Sequence, residues 1–211
     1  MSSLQNILRI IPDFPKPGIQ FQDINPILRS PKHFSESIKL FEKKYQNKSI
    51  DIVACIESRG FIFGSALAQN LGCGIALIRK SGKLPGPVFK ETYELEYGTD
   101  SLEVQSDAFK NNDRVLIIDD VLATGGTAKA AYDLITYNFN ITIIGITFLL
   151  ELNSLDGRQK LNDIPVFSLL QTDWHLFKTL TTSKKFYFDL ICSSIIRALS
   201  LGGKNSRSLS L

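Results

Sequence analysis

The stretch from Arg114 to Ile135, RVLIIDDVLATGGTAKAAYDLI, constrains the fold more than any other part of this chain. It begins with the continuous apolar run Val115–Ile118, a pattern typical of a strand buried on both faces. Two adjacent carboxylates, Asp119 and Asp120, follow where this strand is expected to end. A Gly/Thr-rich turn then leads into a helical pattern. This order places backbone N–H groups and hydroxyls at the N-terminus of a helix.

A helix N-terminus of this kind is suited to binding an anion. Its first N–H groups have no partner within the helix, and the helix dipole favours negative charge there. The two neighbouring carboxylates can accept hydrogen bonds from a sugar diol, so we interpret the stretch as a site for a ribose that carries a phosphate. The alternative is a plain turn with Thr127 as the helix N-cap, since the segment matches neither G-x-x-x-x-G-K-[ST] nor G-x-G-x-x-G. The combination of buried strand, Asp-Asp and A-T-G-G-T favours the site.

Length and composition indicate one α/β domain. The 211 residues are sufficient for a sizeable core, and 44% hydrophobic and 21% charged residues are ordinary for a globular protein. A net charge of +3 gives no indication of a nucleic-acid partner. Cys55, Cys73 and Cys192 lie far apart in the sequence. This spacing is typical of reduced thiols in a cytosolic protein and does not indicate a disulfide framework or a metal site. Without a signal peptide or a membrane-spanning apolar run, we expect a cytoplasmic protein with no membrane partner.

Strand and helix patterns alternate along the chain, which predicts a doubly wound, mostly parallel sheet flanked by helices. Residues 51–56 and 73–78 are the clearest further strands. In such sheets, functional groups gather at the carboxyl ends of the strands. Three strand ends carry charged residues: Glu57 and Arg59, then Arg79 and Lys80, then Asp119 and Asp120. We therefore expect these side chains to share one site.

The remaining elements are predicted from periodicity and from turn residues. They are an amphipathic helix within residues 2–11, an ordered proline-rich segment up to Ile27, helices starting at Ser30-Pro31 and over 127–139, a strand over 141–152, a short helix over Asn153–Asn162 and a strand over 166–170. The segment 80–95 leads into two strands, YELEYG and SLEVQ, joined near Gly98-Thr99-Asp100. This segment is either an active-site lid or a long surface hairpin.

Four parts of the chain resemble, in order, the motifs of the type I phosphoribosyltransferase family in its adenine branch. IIDDVLATGGT is similar to the motif for phosphoribosyl diphosphate (PRPP), and ACIESRGFIFG is similar to the diphosphate loop. RKSGKLPG with YELEYGTDSLEV is similar to the flexible loop, and DFPKPGIQFQDINPIL resembles the hood that covers the base. The resemblance implies a phosphoribosyltransferase domain over residues 1–171, with the hood in about residues 1–30. Residues 172–211 form an extension, expected to be helical and then disordered.

The resemblance implies transfer of a phosphoribosyl group from PRPP to N9 of adenine, giving AMP and diphosphate. Residues similar to those that bind PRPP or AMP are Asp119, Asp120, Ala123, Thr124, Gly125, Gly126 and Thr127. Residues similar to the diphosphate contacts are Glu57, Ser58, Arg59, Arg79, Lys83 and Tyr97, and the family often has a cis peptide at Glu57–Ser58. Adenine is expected at Ile19, Gln20, Phe21 and Gln22, where Gln22 replaces an Arg found in many members.

Glu96 has the position of the family's acid/base residue, which would take the N7 proton of adenine. With Arg59 and Arg79 it completes the set of catalytic candidates, although it could equally be an ordinary strand glutamate such as Glu94 or Glu103. The resemblance further implies Mg²⁺, held mainly by PRPP and water with no direct protein ligand, and a homodimer. Two other functions stay open: transfer to another purine base, and a non-catalytic regulator of this fold that senses PRPP or purines.

Overall fold

The computed structural model describes residues 3–172, apart from residues 15, 16, 18, 19, 96 and 97. Its centre is a seven-stranded sheet in the order β5-β6-β4-β3-β7-β8-β9. The strands are β3 (Ile52–Ile56), β4 (Gly74–Lys80), β5 (Val88–Leu95), β6 (Gly98–Gln105), β7 (Arg114–Leu122), β8 (Thr142–Leu152) and β9 (Val166–Thr172). Five neighbouring strands, β4, β3, β7, β8 and β9, are parallel to one another. The other two, β5 and β6, form an antiparallel hairpin at the edge beside β4. The predicted mostly parallel sheet is confirmed.

Helices cover both faces of this sheet, as a doubly wound fold requires. They are α1 (Ser3–Ile7), α2 (Asn25–Arg29), α3 (Pro31–Tyr45), α4 (Gly60–Leu71) and α5 (Gly126–Asn138), with short 3₁₀ helices at Asn153–Leu155 and Gly157–Leu161. Successive residues of β3 point into different cores: Val53 and Cys55 pack towards α3 and α4, whereas Ala54 and Ile56 pack towards α5. Because β3 is apolar on both faces, it can lie only in the middle of the sheet.

The start of α3 agrees with the predicted capping signal. Ser30 has extended backbone angles, and its hydroxyl accepts a hydrogen bond from the backbone N–H of His33 at 3.4 Å. Pro31 occupies the first turn, where its missing N–H has no cost. The predicted helix at Ser30-Pro31 is therefore confirmed.

The N-terminal segment corrects one prediction. The helix expected within residues 2–11 ends at Ile7, and β1 (Arg9–Pro12) pairs antiparallel with β2 (Gln20–Asp23). The side chain of Asp23 is almost fully buried, and Arg9 forms an ion pair with it. The strand is favoured because it satisfies backbone groups across the hairpin and places a cation beside this buried carboxylate.

Three further boundaries differ from the predictions. Asp119 and Asp120 lie inside β7 instead of after it, since β7 continues pairing with β8 as far as Leu122. Leu95 already pairs with Gly98 in the hairpin, so Gly98–Asp100 belong to β6 and do not form the predicted turn. Residues 153–161 form two 3₁₀ helices instead of one α-helix, since Asp156 between them has a left-handed φ of 52°.

The predicted C-terminal helix and disordered tail lie outside the described residues. Within residues 3–172 as described, no helix is long and apolar enough to cross a membrane.

Candidate active site

An open cleft with a volume of about 170 Å³ lies at the carboxyl ends of β3, β4 and β7. Because β3 lies between the other two strands, the three charged strand ends predicted from the sequence meet along one edge of the sheet. Residues from all three line the cleft, among them Glu57, Arg59, Lys80, Asp119 and Asp120. The predicted convergence is confirmed for these five groups, whereas the sixth, Arg79, does not line the cleft and contacts it only through Glu57.

The loop of residues 123–127, which we call the phosphate loop, forms one wall of this cleft. Gly125 precedes α5 with a φ of 79°, a left-handed conformation that favours glycine. As a glycine, the N-cap residue Gly125 has no side chain to cap α5, and the first N–H groups of the helix have no acceptor within the helix itself. The alternative of Thr127 as the N-cap is wrong, because Thr127 is already inside the helix.

Asp119 and Asp120 form the floor beside this loop. Asp120 is 6% exposed, and its Oδ2 lies 2.6 Å from Nε of Arg59. That contact is ionic only, since Asp120 Oδ2 accepts no hydrogen bond from any described residue. Asp119 Oδ1 accepts the backbone N–H of Asp120 at 2.8 Å. Burial, followed by the charge of Asp120, raises the pKa of Asp119 well above its ordinary value.

This acidic pair fits a divalent cation that brings other ligands with it. A buried carboxylate oxygen without a hydrogen bond and a second carboxyl with a raised pKa both gain from added positive charge. The described residues contain no group of three or more His, Cys, Asp or Glu side chains able to hold a metal ion by themselves. Mg²⁺ commonly binds through one or two carboxylates together with substrate phosphates and water, which suits such a pair.

Glu57 lines the cleft and binds Arg79 and Lys83, two cations that are not among the residues lining it. Its Oε2 accepts hydrogen bonds from Nε of Arg79 at 3.2 Å and from the backbone N–H of Lys80 at 3.0 Å, and its Oε1 pairs with Lys83. Burial of Glu57 acts to raise its pKa, but these partners, Lys83 foremost, outweigh burial and lower it. The peptide between Glu57 and Ser58 is cis. The structure thus brings Arg79 and Lys83 together through one carboxylate.

The hood reaches the cleft through β2. Phe21 and Gln22 line the cleft, and Gln20 begins the same strand. Phe14 packs edge-on against Phe21, with ring centroids 5.2 Å apart. Ile19 lies outside the described residues, as do the two hairpin candidates Glu96 and Tyr97.

The β5–β6 hairpin, predicted as either a lid or a surface hairpin, contacts the phosphate loop. The Tyr93 hydroxyl lies 3.3 Å from the Thr127 hydroxyl and 3.4 Å from Asp100 Oδ2. Asp100 in turn pairs with Lys80 at the end of β4. Neither Tyr93 nor Asp100 was predicted as a site residue. Tyr93 appears in the sequence only within the strand alternation of YELEYG, and Asp100 only as a predicted turn residue. Neither pattern reveals the contacts with α5 and β4.

Comparison with known proteins agrees with this geometry. The phosphoribosyl transferase domain family matches residues 23–184. An adenine phosphoribosyltransferase from Geobacter metallireducens is 51% identical over 170 residues, which are 81% of this chain and 99% of the relative. The chain therefore belongs to the type I phosphoribosyltransferase family, in its adenine phosphoribosyltransferase branch.

Solved structures give the same result. The enzyme from Thermoanaerobacter pseudethanolicus superposes with a TM-score of 0.76 at 46% identity, covering 80% of this chain and 98% of that one. The Saccharomyces cerevisiae enzyme has a TM-score of 0.75 at 44% identity, covering 79% and 97%. That structure is a complex with adenine and D-2,5-dideoxy-2,5-imino-altritol 1,6-bisphosphate.

Proposed function

We propose that this enzyme transfers the 5-phosphoribosyl group of PRPP to N9 of adenine, giving AMP and diphosphate in purine salvage. The observation that carries the proposal is the cleft itself, where an uncapped helix N-terminus, a buried acidic pair and a set of cations occupy adjacent walls. These three features suit the phosphate, the ribose and the diphosphate of PRPP, respectively. The relatives' names and the complex with adenine support the choice of base.

The phosphate loop fixes the sugar in this mechanism. N–H groups of residues 123–127 and the hydroxyls of Thr124 and Thr127 bind the 5′-phosphate, while Asp119 and Asp120 accept hydrogen bonds from the ribose hydroxyls. Holding the sugar at two points leaves C1′ in a defined position, and orientation of this kind contributes much of the rate of a displacement. Positive charge that develops at C1′ in an oxocarbenium-like transition state is favoured by the neighbouring carboxylates.

The cations around Glu57 and Ser58 stabilise the leaving diphosphate. Arg59, Arg79 and Lys83 supply charge to it, and the backbone of Glu57 and Ser58 supplies N–H groups. Glu57 pairs with both Arg79 and Lys83. Diphosphate carries more negative charge than one carboxylate, so its arrival draws both cations towards the reaction centre. Tyr97 adds a hydroxyl contact.

The base enters between the hood and the hairpin. Phe21 provides an apolar surface beside the ring, and main-chain groups around Ile19, Gln20 and Gln22 read its edge. Glu96 takes the N7 proton as the bond to N9 forms. The hairpin excludes water from the site, which prevents hydrolysis of PRPP.

Magnesium belongs to this proposal as the counter-ion of PRPP. Asp119 and Asp120 would hold it, directly or through water, next to oxygens of the substrate. When bound, the ion neutralises part of the negative charge on diphosphate and ribose oxygens. The Asp120 oxygen that accepts no hydrogen bond from a described residue and the raised pKa of Asp119 support this placement.

Two further features complete the proposal. Ile75 and Leu77 on β4 and Ile62 on the adjoining α4 are exposed apolar side chains, which supports a homodimer formed through this surface. Multi-angle light scattering of wild type and of Ile75→Glu tests the dimer: a monomeric wild type contradicts it.

Free thiols at Cys55 and Cys73 support a reducing, cytoplasmic environment for the protein.

One assay tests the function. Purified protein with PRPP and Mg²⁺ is given each labelled purine base in turn, and the product is resolved by chromatography. We expect AMP from adenine and little product from hypoxanthine or guanine. Absence of AMP contradicts the proposal, and a product from another base alone identifies a different purine phosphoribosyltransferase. Binding of PRPP without any product identifies a sensing protein.

A further inference from the structure

The backbone of Gly157 lies directly against the phosphate loop. A Cβ atom at Gly157 would overlap the carbonyl oxygen of Ala123 and lie 3.0 Å from the backbone nitrogen of Gly125. The contact is mutual, because a Cβ at Gly125 would overlap the Gly157 carbonyl oxygen and lie 3.1 Å from its carbon. Neither position tolerates a side chain unless the two backbones separate.

Gly157 is itself held in place by the residue that follows it. The guanidinium of Arg158 donates from Nε and Nη2 to the two carboxylate oxygens of Glu151, at 2.6 and 2.7 Å, and from Nη1 to the Val166 carbonyl oxygen at 3.2 Å. Glu151 is 5% exposed and pairs in the sheet with Leu122, the residue before the phosphate loop. A bidentate Arg–carboxylate pair is geometrically specific, so it fixes the distance between β8 and Gly157.

We propose that Gly157, anchored by Arg158 and Glu151, is a positioning residue for the 5′-phosphate site. This inference rests on the proposed function, since it assigns the phosphate of PRPP and AMP to the loop of residues 123–127. Gly157 supports that loop from behind. It holds the Ala123 carbonyl and the Gly125 N–H in the orientation in which the N–H groups of the loop converge on the phosphate.

A side chain at residue 157 is expected to weaken binding of the 5′-phosphate and of no other part of the substrate. A methyl group at residue 157 must push residues 123–125 outwards, because the atoms it meets are backbone atoms of the loop. At least one N–H group then loses its alignment with the phosphate. A hydrogen bond to a charged group contributes about 1.5–3 kcal/mol, so affinity for a 5′-phosphate is expected to fall by about ten- to a hundredfold. The diphosphate wall, built from β3 and β4, is unaffected.

Isothermal titration calorimetry on Gly157→Ala tests this, with ribose 5-phosphate and with magnesium diphosphate as separate ligands. We expect weaker binding of ribose 5-phosphate, unchanged binding of diphosphate, and a raised KM for PRPP with the KM for adenine preserved. The matched control is Gly145→Ala at the amino end of β8, where a Cβ would lie 2.8 Å from the Pro165 carbonyl oxygen, far from the cleft. If both ligands weaken equally, or if Gly145→Ala has the same pattern, Gly157 has only a structural role.

A second variant covers the case in which Gly157→Ala does not fold. Arg158→Lys retains the charge but cannot form the bidentate pair with Glu151. We expect the same selective loss, smaller in size, and unchanged ribose 5-phosphate binding would overturn the proposed anchor. The experiment distinguishes this inference from the proposed function. If the wild type forms AMP but both variants bind ribose 5-phosphate normally, only the role of Gly157 is contradicted.

Discussion

Arg59 and Asp120 face each other across the floor of the cleft, with Arg59 Nε 2.6 Å from Asp120 Oδ2 and without hydrogen-bond alignment. The pair joins the two halves of the site, because Arg59 follows β3 and Asp120 belongs to β7. In the proposed mechanism Arg59 serves the diphosphate, and Asp120 serves the ribose. Their contact keeps the two groups at a fixed separation before substrate arrives.

The substitution Asp120→Asn tests the role of the carboxylate in this contact. The amide retains the shape but loses the charge that strengthens a hydrogen bond from a ribose hydroxyl, attracts a magnesium ion and pairs with Arg59. We expect KM for PRPP to rise by about ten- to a hundredfold, since hydrogen bonds to charged groups contribute about 1.5–3 kcal/mol. Steady-state kinetics measure this change. Asp133→Asn, which removes the surface partner of Lys129 on α5, is the matched control. Equal effects of the two substitutions would exclude a specific role for Asp120.

Glu96→Gln tests the proposed acid/base residue. Glutamine cannot take the N7 proton, so we expect kcat to fall by about 10²–10⁴-fold while affinity for PRPP is preserved. Single-turnover measurements separate the chemical step from product release. Glu91→Gln on β5 is the control. Wild-type turnover in Glu96→Gln would remove the acid/base role and leave Glu96 as an ordinary hairpin glutamate.

Glu57 predicts a pH-dependent contribution to stability. Its pKa is lowered in the folded protein because Lys83, the Lys80 N–H and Arg79 outweigh the effect of burial. Stability from Glu57 is therefore fully present above its unfolded pKa of about 4.3 and is lost as pH falls through the folded pKa. Urea unfolding should show Glu57→Gln to be less stable than wild type at neutral pH, with the difference narrowing in acid.

The control for this measurement is Glu42→Gln. Glu42 accepts one exposed hydrogen bond from Asn70, at 2.8 Å. Its substitution is expected to change the free energy of unfolding little at either pH. A stability difference for Glu57→Gln that stays constant from neutral pH into acid would show that charge at Glu57 does not stabilise the fold.

A side chain at position 64 is expected to lower the stability of the core for steric reasons alone. A Cβ there would overlap Cys55 Sγ and lie 2.8 Å from Ile118 Cγ2. Gly64→Ala is expected to destabilise the protein by about 1–3 kcal/mol, as overpacking does. Adding Cys55→Ala removes the nearest atom and should restore part of the loss, which a double-mutant cycle of urea unfolding measures. Strict additivity of the two substitutions would contradict the proposed contact.

The predicted domain ends at residue 171, but β9 continues to Thr172, so removal of residues 173–211 tests the extension with the strand left intact. Residues up to Thr172 include every described strand and the whole described cleft. We expect the truncated protein to retain kcat and KM for both substrates within about twofold, a change that corresponds to only a few tenths of a kcal/mol. Circular dichroism confirms folding. A folded but inactive truncated protein would show that the extension contributes to the site.

The sequence predicts an element or a site residue well when the contacts that stabilise it are made between residues close together in the chain. The apolar runs of β3 and β7 and the Ser30 cap involve neighbours in sequence, and their predictions are confirmed. The strand at Arg9–Pro12 depends on a buried partner, Asp23, that no local pattern reveals. Likewise, Tyr93 and Asp100 reach Thr127 and Lys80 across the fold. The roles of the individual site residues stay predictions until the substitutions above are measured.

The position of β3 between β4 and β7 also governs how the molecule is made. β4 follows β3 after a single helix, whereas β7 arrives only after the entire hairpin. A chain emerging from the ribosome therefore contains Glu57, the proposed diphosphate contact after β3, before it contains Asp119 and Asp120, the proposed ribose contacts on β7. Closing the longer loop to bring β7 beside β3 is the entropically slower step. A chain cut short before β7 therefore lacks both carboxylates of the floor, Asp119 and Asp120, and with them the phosphate loop that follows.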